Sequence, residues 1–439
     1  MMDVQNQTYE YDKAGALPGV VPAAGESFDG KTLRSATNAP AARKHMKGLR
    51  VCMIAYTIYE ADNRVMRYAE MLAKQGAHVD VISLTFDNEI GQETIRGVNV
   101  VRVQRRLFNE KSKFSFLSQI MKFLLRAMWN VMRRGRYDLV HVHSVPDFLV
   151  FSALPAKLRG TKIILDIHDI LPELYVSKFN SRPGSLLFRS LLRVERWSAK
   201  FADFVIVAND IWRERLASRS IPADKCMAIL NFPDRSIFRR QGRKRNDGKF
   251  IMIYPGSLNW HQGLDIAIRA FAKIKDQAPQ AEFHIYGGPG QIELIALAES
   301  LGVGHRVQIY GGRSLPEIAT LMENADLGVV PKRRDSFGDE AFSTKILEFM
   351  AMGVPVLVSN TTIDQYYFNN SLVRFFRSGD DGALAEAMLE LMRNPEQREL
   401  LRMNALTFIE DFDWDSNKYK YEGIIDRLLM PRKQAGASA

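Results

Sequence analysis

The chain has 439 residues, of which 46% are hydrophobic and 25% charged, and its net charge is +10. This composition is typical of a soluble globular protein, and the length exceeds one ordinary core, so we expect two or three domains. The two cysteines, Cys52 and Cys226, lie in apolar segments, which argues against a disulfide framework and favours a reducing compartment. We expect a cytoplasmic protein, because no segment resembles a membrane-spanning helix or a signal peptide.

The first half of the chain alternates between short apolar segments and amphipathic ones. Residues 1–46 are rich in Ala, Gly and Pro without periodicity, and they predict a disordered tail. The predicted strands that follow are 49–56, 78–84, 98–103, 138–144, 162–169 and 203–208. The predicted helices are 62–75, one from about 114, 147–158 and 185–200. This alternation predicts a doubly wound parallel sheet in a domain spanning residues 47–236.

A highly charged, aperiodic stretch at 233–248 interrupts the pattern and predicts a linker. Beyond it the predicted strands are 250–254, 282–286, 306–310, 327–330, 354–359 and 372–375. The predicted helices begin at about 262 and then cover 291–301, 316–325, 344–352, 379–393, 396–411 and 415–429. We therefore expect a second Rossmann-like domain over 237–412, and a C-terminal segment, 413–439, whose helix crosses back to the first domain.

Residues 337–360 carry the densest candidate chemistry. They predict a polar loop, a helix that starts after Ser343 and ends at Gly353, and a buried strand. Two acids, Glu340 and Glu348, bracket the helix start, where backbone N–H groups can bind an anion such as phosphate. Eight helical residues rise about 12 Å, whereas glycosidase carboxylates lie about 5–5.5 Å or about 6.5–9.5 Å apart. The acids are therefore better placed to hold two parts of one elongated ligand than to flank one bond.

Ligands of open parallel sheets bind at the carboxyl ends of the strands. In the second domain these ends carry glycines together with Ser257 and Lys332, which predicts an edge of the sheet where the backbone closely approaches a ligand. For any single glycine, an ordinary turn is the alternative explanation. In the first domain His168 ends its strand and can face the cleft, or merely cap the next loop. His141 and His143 share a strand face without a third ligand nearby, which favours a structural pair over a metal site.

Several ordered motifs resemble the retaining glycosyltransferases of family 4, whose GT-B fold has two Rossmann-like domains facing a central cleft. The likeness covers about residues 49–430. The matching segments are the loop at Asp62-Asn63-Arg64, Tyr137-Asp-Leu-Val-His-Val-His143, Ile167-His168-Asp169, Ala202-Asp203 to Ala208, the Glu340 and Glu348 pair with the following "M-A-x-G-x-P-V" run, and Phe412-Asp-Trp414. Each motif alone is weak, but their order and spacing together are specific.

The resemblance implies a role for each site residue. Glu348 would hold the ribose of a nucleotide donor and Glu340 the hydroxyls of the transferred sugar, while His168 would face that sugar from the first domain. The diphosphate would lie on backbone N–H groups around Phe342, Ser343 and Thr344, with close approach at Gly256 and Ser257. Asp62, Asn63, Arg64 and Asp169 would line the acceptor side. The family uses no metal and no other cofactor, because basic groups and helix dipoles stabilise the departing diphosphate.

This chain departs from the family at two positions. Many members place a cation just after the Gly256 position and a Lys before the Gly263 position, where this chain has Ser257 and Gln262. The charge on the leaving group would then be met by Lys345, Lys332 or Arg333. We choose Lys345 because it lies within the motif.

Residues 101–200 contain 19 Lys and Arg against 7 Asp and Glu. Within them, residues 111–134 interleave aromatic and apolar residues with cations at helical spacing, which is typical of a helix on an anionic membrane surface. A helix that packs on its own sheet is the alternative. Nucleic acid is not expected as a partner, because no binding motif accompanies the charge.

Together these features predict a retaining glycosyltransferase that moves a sugar from a nucleotide-diphosphate sugar to a saccharide, expected to be lipid-linked, in bacterial polysaccharide assembly. The basic segment extends the expected location to the inner face of the plasma membrane. A GT-B-fold nucleotide-sugar epimerase is the enzymatic alternative. A binding scaffold with weak or no turnover is the alternative from another class, because of Ser257 and Gln262.

Overall fold

The computed structural model describes residues 46–86, 90–106, 113–179, 184–242 and 245–430. The predicted tail lies outside these residues except for Met46, and so do residues 111–112 of the basic segment. The described chain contains two mostly parallel sheets with alternating helices, which confirms the predicted α/β class.

The first domain contains an eight-stranded sheet in the order β3-β4-β2-β1-β5-β6-β7-β8, in which β3 alone is antiparallel to its neighbour. Its strands are β1 (Arg50–Ile58), β2 (His78–Thr85), β3 (Gly91–Ile95), β4 (Val98–Arg105), β5 (Leu139–Ser144), β6 (Lys162–Ile167), β7 (Phe204–Val207) and β8 (Cys226–Ala228). Its helices are α1 (Asn63–Lys74), α2 (Lys113–Arg133), α3 (Leu154–Lys157), α4 (Leu171–Phe179), α5 (Leu186–Phe201) and α6 (Asp210–Arg219). The central strands β5 and β6 are buried along almost their whole length, because helices cover the sheet.

The second domain contains a six-stranded parallel sheet in the order β11-β10-β9-β12-β13-β14. Its strands are β9 (Phe250–Pro255), β10 (Ala281–Tyr286), β11 (Val307–Tyr310), β12 (Leu327–Val330), β13 (Val356–Ser359) and β14 (Arg374–Phe376). Its helices are α7 (Leu264–Ile274), α8 (Gln291–Ser300), α9 (Leu315–Glu323), α10 (Thr344–Met352), α11 (Thr362–Tyr367), α12 (Asp381–Arg393) and α13 (Pro395–Ile409). The described residues of the predicted linker form neither helix nor strand.

Some elements differ from the sequence-based prediction. The predicted helix at 147–158 is a 3₁₀ helix, Asp147–Ala153, followed by the short α3, in which Pro155 occupies the first turn. Strands β3 and β8 and helices α4, α6 and α11 were not predicted. The sequence of α6 is charged on several sides, so it shows little amphipathic periodicity despite burying Trp212 and Leu216.

The last helix, α14 (Trp414–Leu429), returns to the first domain. Asp413 caps its start by accepting a hydrogen bond of 2.7 Å from the Ser416 N–H. The Tyr421 hydroxyl lies 2.8 Å from Nδ1 of His141 in β5. The ring of Trp414 meets that of Tyr68 edge-on at 5.3 Å. Helix α14 therefore packs against His141 and Tyr68 of the first domain. None of the helices in the described residues is both long and apolar enough to cross a membrane.

Candidate functional site

The helix start at residues 343–345 has the form that the sequence predicts. Ser343 is the N-cap of α10, but its side chain makes no capping hydrogen bond. Within the described chain, its buried Oγ has no hydrogen-bond partner. The helix ends at Gly353, whose φ of +63° suits a residue without a Cβ. The first turn of α10, with the half-buried Phe342 and Thr344 on either side of Ser343, thus presents N–H groups and a hydroxyl to an anion.

Gly256 follows β9 and lies against the side chain of Lys345. A Cβ at this glycine would be only 2.2 Å from Cε of Lys345, so no other residue fits there without displacing the lysine. The Lys345 ammonium lies 5.2 Å from the centre of the Tyr254 ring. Burial lowers the pKa of Lys345 to about 8, although the neighbouring Glu348 carboxylate opposes the shift. The two chain segments that the sequence assigned to phosphate are therefore in contact.

The two other candidate cations are engaged elsewhere, which corrects the sequence-based choice of Lys332 as a donor ligand. Lys332 is 2% exposed, forms an ion pair of 2.9 Å with Asp364, and donates a hydrogen bond of 2.7 Å to the Ala341 carbonyl. The Arg333 guanidinium pairs with Asp265 at 2.7 Å and lies over the Trp260 ring. Lys332 therefore anchors the loop before α10, and Lys345 is the cation at the helix start.

The positions where this chain departs from the family are joined by one tyrosine. The Tyr254 hydroxyl lies 2.7 Å from the Ser257 carbonyl and 3.0 Å from Oε1 of Gln262. Neither residue supplies a positive charge. The loop after β9 is thereby held in place by neutral hydrogen bonds, while the charge beside Gly256 comes from Lys345.

Glu348 lies on the first turns of α10, next to Lys345. Burial raises its pKa to about 7, and the charges of Lys345 and Arg67 act against this shift. Arg67 belongs to α1 of the first domain, so Glu348 lies where both domains contribute to its surroundings.

Glu340 lies in the turn before α10, where the Ala341 N–H donates a hydrogen bond of 2.9 Å to the Phe337 carbonyl. The helix-rise estimate therefore does not measure the separation of the two acids, because only Glu348 is helical. Among the described residues, the buried Oε2 of Glu340 has no hydrogen-bond partner. Its Oε1 forms an ion pair with Arg215 of α6. Sequence reasoning missed Arg215, because it lies in no motif and only the fold brings it to the acid.

On the opposite side, His168 follows β6 rather than ending it. Its Nε2 lies 3.3 Å from Oδ2 of the buried Asp166 and 3.3 Å from Nδ1 of His143. Burial opposes protonation of His168, but the Asp166 carboxylate outweighs it, and the pKa of His168 is raised. Asp169, the next residue, is half-buried, and burial raises its pKa.

The structure places Arg64 differently from the acceptor-side prediction. Its side chain is 6% exposed, donates hydrogen bonds of 2.7 and 2.8 Å to both carboxylate oxygens of Asp166, and donates a third, of 2.7 Å, to the Ile229 carbonyl. Arg64 is thus a buried structural partner of Asp166. Asp62 caps α1 by accepting hydrogen bonds from the N–H groups of Arg64 and Val65, and Asn63 is the first residue of that helix. Asp62 and Asn63 are half-buried.

A possible metal-ligand atom from each of His141, His143 and Asp166 lies within 4.8 Å of the other two. Asp166 is a third possible ligand that the sequence did not reveal. Strands β5 and β6 pair His143 with Asp166 in register. These residues do not fit a metal well, because both oxygens of Asp166 already accept hydrogen bonds from Arg64. Nδ1 of His141 is hydrogen-bonded to Tyr421, so only its Nε2 could bind an ion. A cation here would also be repelled by the adjacent guanidinium.

Two family models match the chain. Residues 61–231 match the "Glycosyl transferase 4-like domain" and residues 235–407 match "Glycosyl transferases group 1". Among curated proteins, "D-inositol 3-phosphate glycosyltransferase 1" of Catenulispora acidiphila is 27% identical over 69% of this chain and 73% of its own length. The "putative colanic acid biosynthesis glycosyltransferase WcaL" of Salmonella typhimurium is 27% identical over 35% of this chain and 39% of its own length.

Solved structures agree with this fold. Sucrose-phosphate synthase from Thermosynechococcus elongatus has a TM-score of 0.72 at 20% identity and covers 87% of this chain and 99% of its own. HepE of Anabaena, solved in complex with UDP and glucose, has a TM-score of 0.65 at 16% identity. The match covers 85% of this chain and 99% of the HepE chain. These likenesses confirm the predicted fold. The chain belongs to the group 1 glycosyltransferases of family 4 with the GT-B fold, and it is a glycosyltransferase of the hexosyltransferase type.

Proposed function

We propose that this enzyme transfers a sugar, with retention of anomeric configuration, from a nucleotide-diphosphate sugar to a saccharide on a lipid carrier in bacterial polysaccharide assembly. The observation that carries the proposal is the contact between Gly256 and Lys345 at the start of α10, with Glu340 and Glu348 on either side of it along the chain. One cation and a row of N–H groups suit a diphosphate, and two acids suit the hydroxyls of the groups joined to it. HepE, which has the same fold, was solved with UDP and glucose.

In the proposed reaction, the bond between the anomeric carbon and the diphosphate oxygen breaks, and a bond to an acceptor hydroxyl oxygen forms as that hydroxyl passes its proton to the departing diphosphate. Negative charge develops on the departing diphosphate. Lys345 and the N–H groups of the first turn of α10 stabilise that charge. Glu348 accepts hydrogen bonds from the ribose, and Glu340 accepts them from the sugar through its unpartnered Oε2. His168, held by Asp166, faces the sugar from the first domain.

The test has two stages. A thermal-shift screen with UDP, GDP, ADP and their sugars identifies the donor base, because ligands that bind the native state raise the melting temperature. Transfer to a saccharide acceptor is then followed by proton NMR with EDTA present, since we propose that no metal or other cofactor takes part. We expect a product with the anomeric configuration of the donor; an inverted product would refute retention. An isomerised free donor would indicate the epimerase, and binding without turnover would indicate the scaffold.

We further propose that helix α2 attaches the enzyme to the inner face of the plasma membrane, where a lipid-linked acceptor resides. One side of the helix is buried on the sheet through Ile120, Phe123, Leu124, Ala127 and Val131. A second apolar side is exposed through Phe116, Leu117, Met121, Leu125, Trp129 and Met132. The two sequence-based alternatives therefore describe opposite sides of one helix. Exposed apolar side chains flanked by cations suit the headgroup region of an anionic membrane.

The cations of α2 are not equally available for this contact. Arg126 donates a hydrogen bond of 3.0 Å to the Val103 carbonyl, and Arg134, just after the helix, donates one of 2.9 Å to Gln92. Lys122 and Arg133 are exposed, and Arg133 lies over the Trp129 ring. Lys122 and Arg133 are therefore the residues to change in a test that leaves the packing of the helix intact.

Reversing both charges, in the variant Lys122→Glu/Arg133→Glu, is expected to weaken binding to anionic liposomes by at least about tenfold, since each cation contributes about 1 kcal/mol at such a surface. Co-sedimentation with anionic and neutral liposomes measures the effect. The control Arg239→Glu/Arg240→Glu makes the same charge change at exposed linker residues and should bind like wild type. Equal binding by both variants, or no preference for anionic lipid, would refute this attachment.

A further inference from the structure

Helix α6 of the first domain lies directly against the loop of the second domain that carries Glu340. The Asn209 side chain, at the N-cap of α6, donates a hydrogen bond of 3.0 Å to the Glu340 carbonyl. The Trp212 ring lies 5.6 Å from that of Phe337, which is 5% exposed and belongs to the apolar core of the first domain. The loop is therefore held by a helix from the opposite domain.

Arg215, one turn further along α6, connects this helix to the Glu340 side chain. Its Nη2 contacts Oε1 of Glu340, and its Nη1 lies 3.5 Å from Oε1 of Glu173 in α4. Arg215 thus bridges an acid of each domain. The contact occupies Oε1 of Glu340 and leaves the other carboxylate oxygen, Oε2, outside the ion pair. This second oxygen is buried and has no partner among the described residues.

The charges around Glu340 leave Arg215 as its principal counterion. Glu173 and Asp339 also face it and disfavour its ionised form, but each has a cation of its own. Glu173 is paired with Arg219 of α6, and Asp339 with Arg334 at 3.0 Å. Burial raises the pKa of Glu340, and Arg215 opposes that shift. Loss of Arg215 would leave a buried carboxylate beside two other acids, so Glu340 would take up a proton more readily.

We infer that Arg215 is a positioning residue for the sugar: it holds Glu340 ionised, with Oε2 free, and so makes the enzyme distinguish a nucleotide sugar from the bare nucleoside diphosphate. This role rests on the proposed function, because it requires Glu340 to accept hydrogen bonds from the sugar. It adds a residue of the first domain to recognition by the second. Such a contact forms only when the two domains are together, so sugar recognition is coupled to the domain arrangement.

The test compares Arg215→Gln and Arg215→Lys with the control Arg213→Gln. Arg213 lies on the same helix, but its charge partners are Asp210 and Glu214. For Arg215→Gln we expect kcat/KM for the nucleotide sugar to fall about 10- to 100-fold, the range for losing a charged hydrogen bond, with the Kd of the bare nucleoside diphosphate unchanged. Arg215→Lys should recover part of the loss, and Arg213→Gln should behave like wild type.

A pH profile separates positioning from a structural role. In Arg215→Gln the acid limb of kcat/KM should move to higher pH, because Glu340 then takes up a proton more readily. The titration of Glu348 should affect the binding of the bare nucleoside diphosphate as well. The pH dependence of nucleoside diphosphate binding is therefore the internal reference for the change in Glu340. In a Glu340→Gln background, Arg215→Gln should have no further effect on kcat/KM.

Three outcomes would overturn this role. The first is an Arg215→Gln variant with the kinetics of the control. The second is an equal loss in nucleoside diphosphate binding, or an additive loss in the Glu340→Gln background, either of which would indicate general disruption of the fold. The third is a wild-type enzyme that turns over no nucleotide sugar at all, which would refute the proposed function as well; the first two leave that function intact.

Discussion

Replacing Glu340 by glutamine is expected to lower kcat/KM for the nucleotide sugar by about 10²–10³-fold, the cost of removing one electrostatic contact to the reacting group. The substitution keeps the shape of the side chain but removes the negative charge and turns one acceptor oxygen into a donor. Because Oε2 of Glu340 has no partner within the described parts of the chain, the loss should appear in sugar transfer rather than in binding of the nucleotide. Initial rates of donor consumption, together with calorimetric binding of the nucleoside diphosphate, measure the two effects separately.

A matched control for Glu340 is available on α13. Glu399→Gln makes the same chemical change at an exposed side chain whose partner is Arg402. It should leave kcat/KM within about twofold of wild type, as for most surface substitutions. If Glu340→Gln has the activity of this control, Glu340 does not contact the transferred sugar. Loss of nucleotide binding in Glu340→Gln would instead place this acid on the nucleotide.

Replacing Lys345 by alanine is expected to lower kcat by about 10²–10³-fold, because in the proposed reaction Lys345 supplies the cation at the departing diphosphate. Ser257 and Gln262 are neutral, and Lys332 and Arg333 are engaged by carboxylates, so none of them can take over the charge. Single-turnover rates, which report the chemical step, are the appropriate measurement.

The control is Lys418→Ala, which changes a surface residue of α14 that pairs with Asp415 and should leave kcat unchanged. Near-full activity of Lys345→Ala would show that the charge comes from elsewhere.

The pH dependence of the same residue has a definite sign. The pKa of Lys345 is about 8 in the free enzyme, so its positive charge is present below that pH and lost above it. The value of kcat/KM should therefore fall as the pH rises through about 8. In Lys345→Arg the guanidinium stays charged, and this alkaline limb should move out of the measurable range. An unchanged alkaline limb in Lys345→Arg would assign it to another group.

The sequence predicts much of the fold because the informative segments are short, apolar and regularly spaced. Strands such as β9 and β12 are buried along their whole length, so each stands out as a run between glycines and polar residues. Helix α10 was predicted within a residue, since Ser343 and Gly353 mark its ends. Helix α6 and strand β3 were missed because neither has a strong apolar periodicity: the one is rich in charges and the other is almost entirely exposed.

The site was predictable where its residues are neighbours in the chain. Glu340, Ser343, Lys345 and Glu348 lie within nine positions, so spacing alone relates them to one ligand. Spacing could not show which cations are available. Lys332 and Arg64 look like ligands in the sequence, but each is buried against a carboxylate that lies 32 or 102 positions away.

The sequence by itself determined that this protein has two Rossmann-like domains and that its candidate donor-site residues are concentrated at the start of one helix, because local pattern and backbone geometry decide these properties. Only the tertiary structure decided which charges meet. Packing α6 against the Glu340 loop pairs that acid with Arg215, 125 positions away, and packing β9 beside α10 brings Gly256 against Lys345. Electrostatic interactions depend on distance in space and on burial, and neither can be read from positions along the chain.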